Sequence, residues 1–133
     1  QFENKSVLQD LGDGHAIQAL ACSAGDGKVA RVASGGAGGV CMVQELVLNG
    51  DTVDIGSAVE ATSDVGRPIN AVTFSGRAVI VSADNSLSMW LHGELLHKIS
   101  GCEPTCLTWF GESLCAGTRT GEVTMYKIAK LAE

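Results

Sequence analysis

Proline is nearly absent, with two residues in 133, and no stretch carries apolar residues at the 3.6-residue spacing of an amphipathic helix. Basic residues are also few. Nine Lys and Arg, scattered from Lys5 to Lys130, stand against fifteen Asp and Glu and leave a formal net charge of −6. A nucleic-acid footprint needs clustered Lys and Arg, so this charge pattern argues against one. No apolar run approaches the roughly 18 residues of a membrane helix. The first residues lack the charged start and apolar stretch of a secretory signal. The five cysteines, Cys22, Cys41, Cys102, Cys106 and Cys115, are odd in number and show no paired spacing. They read as reduced, mostly buried thiols of an intracellular, cytoplasmic protein. The chain opens at Gln1 rather than Met, which reads as a piece of something longer.

Apolar residues make up 45% of the chain, enough to bury a core. Short runs rich in Val, Ile, Leu and Ala lie between clusters of Gly, Asp, Asn and Ser, which is the pattern of strands and tight turns. The runs repeat. Residues 17–21 echo in 69–73 and 105–109. A second type follows each of them, at 29–33, 78–82 and 113–117. A third follows those, at 40–43, 87–90 and 123–126, with Met42, Met89 and Met125 taken as one shared position. A fourth run is clear at 95–99. In the first unit the third strand runs on to Leu48, Asn49-Gly50 reads as a type I′ hairpin turn, and the fourth strand spans about 52–58. Four short antiparallel strands repeating every 35 to 50 residues or so form the pattern of a β-propeller. One such unit cannot cover both of its faces, so units stack radially and bury each other.

These residues resemble the WD40-repeat family over about residues 6 to 128. In that family a Gly-His pair precedes the first strand and a Trp-Asp pair ends the third. Gly14-His15, Gly66-Arg67 and Gly101-Cys102 occupy the first register, and Val43, Trp90 and Tyr126 the Trp position. The second unit matches best, with Ser82, Asp84 and Trp90 at the family spacing. The resemblance implies that these three share a structural hydrogen-bond network, with an Arg67–Asp84 ion pair in place of the usual His contact. Residues 105–109 and 116–123 also resemble blades of the echinoderm microtubule-associated-protein-like proteins. Residues 33–40 resemble a blade of actin-interacting protein 1. Both are cytoskeletal.

The expected fold is therefore all-β: a WD40-like propeller segment of about three four-stranded antiparallel blades, near 15–60, 67–100 and 102–131. Residues 6–11 form an extra strand that closes a neighbouring blade. Three blades do not close a ring, and open blade faces and edges invite association. The expected partners are other protein chains: further blades, a second copy or a complex. The resemblance places partner-binding loops before the first strand and between the second and third, here at His15, Arg67, Asn85, Glu103 and Arg119.

The remaining motifs carry weaker chemistry. Gly35-Gly36-Ala37-Gly38-Gly39 lacks the Gly-Lys-Ser/Thr ending of a phosphate loop and reads as a turn between strands. Gly25-Asp26-Gly27-Lys28 reads as a hairpin turn. His92, His97, Cys102 and Cys106 lack paired zinc spacing. Ser23, His15 and Asp13 or Asp26 lack a nucleophile elbow. Asp51, Asp54, Glu60 and Asp64 read as a solvated edge or as an acidic contact surface for a basic partner. No catalytic, cofactor or metal residue is assigned. The expected role is a non-catalytic interaction scaffold in a larger, cytoskeletal assembly. The alternatives are a structural filler subunit and, remotely, a zinc-binding or hydrolytic enzyme.

Overall fold

A computed structural model describes residues 16–24, 28–63 and 65–128. They form eleven strands: β1 (Ile17–Ala24), β2 (Val29–Gly36), β3 (Met42–Asn49), β4 (Thr52–Glu60), β5 (Ile69–Ser75), β6 (Ala78–Ala83), β7 (Ser86–Leu91), β8 (Glu94–Ser100), β9 (Pro104–Phe110), β10 (Ser113–Thr118) and β11 (Val123–Lys127). These make three antiparallel sheets, β1-β2-β3-β4, β5-β6-β7-β8 and β9-β10-β11. The all-β expectation holds, and so does the succession of antiparallel meanders. The strand expected at residues 6–11 lies outside the described residues.

The turns follow from local backbone chemistry. Two-residue loops join β5 to β6 (Gly76-Arg77) and β9 to β10 (Gly111-Glu112), and in each the glycine alone has positive φ. His92-Gly93, between β7 and β8, has positive φ at both residues, the requirement of a type I′ turn. The first-sheet hairpin corrects the expected Asn49-Gly50 turn. Asn49 pairs with Thr52, so the turn residues are Gly50-Asp51. Only Gly50 has positive φ, at 62°, which suits a type II′ turn.

The sheets stack through their first strands. β5 packs on β1 and β2, and β9 packs on β5 and β6. Two apolar layers result. Ala19, Ala33, Ile69, Val72, Phe74, Val79, Val81 and Trp90 fill the space between the first and second sheets. Ile80, Leu87 and Leu114 form the layer between the second and third, with Met89, Leu107, Trp109 and Tyr126 against them. Each face follows from the period-2 alternation of a strand. Val79 and Val81 point toward the first sheet, and Ile80 toward the third. A hydrogen bond from Trp109 Nε1 to Thr73 Oγ1, 2.9 Å long, crosses the second layer.

Strand register corrects the shared-Met reading. Met42 pairs with Ser34, which pairs with Leu20, whereas Met89 pairs with Ile80, which pairs with Thr73. With Leu20 matched to Val72, Met42 falls opposite Ser88 and stands on the other face from Met89. The same register places Gln44, not Val43, at the Trp90 and Tyr126 position. Gln44 is 2% exposed, buried as Trp90 is. The cause is the connection before β3, which spans Ala37 to Cys41 in the first sheet but only Asp84-Asn85 in the second. A one-residue slip transfers every side chain to the opposite face.

Cys41 sits at the end of that connection, fully buried, and its N–H donates to Thr62 Oγ1 at 3.0 Å. Burial pushes its thiol from 9.0 up to about 12, against a smaller opposing contribution from a backbone hydrogen bond at Ser34. The folded state thus favours the neutral thiol. This contribution to stability is complete below about pH 9, where the unfolded thiol begins to ionise, and is lost as pH rises toward about 12. Denaturation of wild type and Cys41→Ala across this range should show a steeper alkaline loss in the wild type. In the native protein at mildly alkaline pH, alkylation followed by mass spectrometry should label exposed Cys22 and Cys106 first and spare Cys41.

Candidate functional site

The loops between sheets interlock at one end of the stack. Ala37 N–H donates to the Ala16 carbonyl within the first sheet, and Arg119 N–H to the Glu103 carbonyl within the third, both at 3.0 Å. Between sheets, Val65 N–H reaches the Gly39 carbonyl at 2.9 Å and Gly101 N–H reaches the Asn85 carbonyl at 3.0 Å. Each connection to the next sheet is thus pinned to the preceding sheet's turn. Gly66 and Gly101 both have φ above 80°, a left-handed conformation that suits glycine at this shared position. These bonds satisfy loop polar groups and hold the end rigid.

The side chains there meet at Asp84. Arg119 Nη2 donates to Asp84 Oδ1 at 3.1 Å, and Arg67 Nη1 lies 3.9 Å from Asp84 Oδ2. Arg67 precedes β5, Asp84 lies in the β6–β7 turn and Arg119 in the β10–β11 turn, so one carboxylate links the entry to the second sheet with a turn of the third. The guanidinium side chains remain 57% and 60% exposed. Exposed pairs of this kind contribute about 0–1 kcal/mol each, so the cluster is poorly explained by stability alone. Together the two guanidiniums carry more N–H donors than the Asp84 carboxylate takes up, and both side chains are more than half exposed.

Of the residues expected at the loops, Arg67, Asn85, Glu103 and Arg119 all come to this end. Asn85 is exposed and Glu103 half-buried, and both join the interlock through their carbonyls. His15 lies outside the described residues. Ser82, Asp84 and Trp90 each have separate partners. Ser82 Oγ donates to Asn70 Oδ1, and Trp90 Nε1 donates to Ser88 Oγ at 2.8 Å. Ser82 and Trp90 project from opposite faces of the second sheet, and Asp84 sits in the exposed turn. Asn70 and Ser88 were missed, although a polar residue inside an otherwise apolar strand was the available signal.

The other candidate chemistry is dispersed. Gly35 and Gly36 belong to β2 rather than to a turn. A Cβ on Gly35 would lie 2.8 Å from Ile69 Cγ2, so the absence of a side chain permits close approach of the second sheet. His92 sits in the β7–β8 turn, His97 on exposed β8, and the Cys102 thiol faces the Ile99 carbonyl at 3.7 Å. Among the described residues, no group of three or more His, Cys, Asp or Glu is placed to hold a metal. Ser23 lies on β1, while His15, Asp13 and Asp26 fall outside the described residues.

No protein-family model matches the chain, and no curated protein matches it. Solved structures do. The computationally designed Ika4 protein aligns over 96% of this chain and 100% of its own, with a TM-score of 0.52 and 23% identity. The WD40 β-propeller domain of Doa1 aligns over 86% of this chain with a TM-score of 0.61 and 12% identity. The chain spans 38% of that second structure. At these identities the likeness concerns the fold, which is that of a propeller segment.

Proposed function

We propose that the chain is a non-catalytic protein–protein interaction scaffold that presents the interlocked loop end of its stacked sheets to a partner chain. The observation that carries this reading is the Arg67–Asp84–Arg119 cluster, a rigidly mounted and exposed group with unused donors. Pre-formed loops on a packed scaffold bind without a large ordering cost. The Doa1 WD40 β-propeller domain shares this fold, and the sequence resemblance of residues 33–40, 105–109 and 116–123 to cytoskeletal WD40 proteins supports a cytoskeletal setting. On this reading the chain serves as a segment or subunit of a larger cytoskeletal assembly in the reducing cytoplasm.

A second reading, a structural filler, draws on the third sheet. Phe110 is 73% exposed, Val123 76% and Met125 55%, and they lie along the side away from the second sheet. A face of this kind invites association.

Affinity capture from cell extract separates the two. The double variant Arg67→Ala/Arg119→Ala should melt close to wild type, because exposed ion pairs contribute little. It should also lose a discrete set of captured proteins. Retention of the full set by this variant, together with its loss from Val123→Lys/Met125→Lys, would favour the filler.

A further inference from the structure

Each sheet turns one face to the sheet before it and the other to the sheet after it. The second sheet meets the first through Ile69 and Val72, which are 0% and 6% exposed. Their counterparts on β1 are Ile17 and Leu20. The two strands carry the same register shift, between Ile17 and Ala19 and between Ile69 and Ala71, which fixes the match. No sheet precedes the first among the described residues, and Ile17 is 43% and Leu20 68% exposed.

The opposite face repeats in the same way. The second sheet receives the third on Ile80, Leu87 and Met89. The ladders pair Ile80 with Met89 and Cys115 with Met125, so Cys115, Val123 and Met125 are the counterparts on the third sheet. All three are apolar, and Val123 is 76% exposed where Leu87 is 5% exposed. Gly117 holds the place of Gly35. Gly35 pairs with Ala19, next to Leu20, and Gly117 pairs with Cys106, next to Leu107. Gly35 is the notch that Ile69 enters. At Gly117 the atom nearest to an added Cβ is the Cys106 Sγ, which belongs to a rotatable side chain.

We infer that two copies of this chain pack head to tail, the first sheet of each on the outer face of the other's third sheet. The contact continues the stacking already made twice within the chain, and one chain carries both halves of it. Ile17 enters the notch at Gly117, and Leu20 covers Cys115 and Val123 as Leu107 covers Ile80 and Leu87. Trp109 reaches Thr73 across the second layer, so its counterpart Cys22 comes to lie over Thr108. As in the internal layers, the arriving sheet leads with its first strand, so the already buried Ser34 and Gln44 on the same face are not needed. A two-fold axis makes the contact twice and leaves neither face in water. The inference assigns an occupant to the third-sheet face and does not draw on the Arg67–Asp84–Arg119 end, so either can fail without the other.

Sedimentation equilibrium over a concentration series tests the inference. The wild-type chain should reach twice the mass of one chain and stop there. Leu20→Lys and Val123→Lys/Met125→Lys should each move association to about tenfold or more higher concentration, because a lysine carries charge into an apolar contact. All three side chains are exposed, so the circular dichroism spectrum should not change. An equimolar mixture of the two variants should associate more tightly than either alone, since one of its two contacts joins unaltered faces. Alkylation of Cys22 and Cys106, fast in the free chain, should slow in parallel as concentration rises. A wild-type monomer at every concentration, masses that grow past two copies, or a pair untouched by Leu20→Lys would overturn the inference. The last result would mean that the third sheets meet face to face.

Discussion

Alanine in place of Leu114 is expected to lower stability by about 2–5 kcal/mol. Leu114 is 0% exposed and sits in the layer between the second and third sheets with Ile80 and Leu87. Its β10 position pairs with Trp109 on one side and Tyr126 on the other. Few apolar side chains build this layer, so removal of one large member leaves a cavity that its neighbours cannot fill without moving. The third sheet is joined to the second mainly through this layer, the Trp109–Thr73 hydrogen bond and the loop interlock. Urea denaturation of Leu114→Ala should therefore show a lower midpoint. Hydrogen exchange in β9 to β11 should rise more than in β1 to β4. A uniform rise over all three sheets would mean that they unfold as one unit.

The second large effect is at Gly36. A Cβ there would collide with the Ala16 carbonyl oxygen and lie 2.9 Å from the Gln18 nitrogen. Both are backbone atoms at the start of β1, so no flexible side chain can yield. The Ala16 carbonyl also accepts from Ala37 N–H at 3.0 Å, and displacement of β1 breaks that bond. Overpacking with a lost hydrogen bond makes Gly36→Ala cost roughly 2–4 kcal/mol. Gly50→Ala is the control. Its Cβ meets nothing within 4 Å, and the φ of 62° is the only obstacle, worth about 1–2 kcal/mol. Equal midpoints for the two variants in chemical denaturation would contradict the packing described for β1 and β2.

The fold was largely legible because strand alternation and turn residues are local signals. The run read at 69–73 lies within β5, and that read at 105–109 lies within β9. Register was less legible. Met42 looked equivalent to Met89 because each lies in a third strand, one residue before the position read as the Trp site. The longer connection through Ala37 to Cys41 shifts the pairing, and only the ladder reveals this. The site was legible in part. Arg67, Asn85, Glu103 and Arg119 reach one end because sheets of similar size, stacked in order, bring corresponding loops together. The Arg119–Asp84 contact was not foreseen, since it joins different sheets and depends on how they stack. The family resemblance implied a shared Ser82–Asp84–Trp90 network, but the faces of β6 and β7 direct Ser82 and Trp90 apart.

A partner that docks at the interlocked loop end must shield those loops from solvent. Hydrogen exchange of the chain, alone and bound to a partner identified by capture, should therefore show new protection around Arg67, Asp84-Asn85, Gly101–Glu103 and Thr118–Gly121. Protection confined to β9 and β11 around Phe110, Val123 and Met125, with the loop end unchanged, would instead put the partner on the outer face of the third sheet and overturn the proposal.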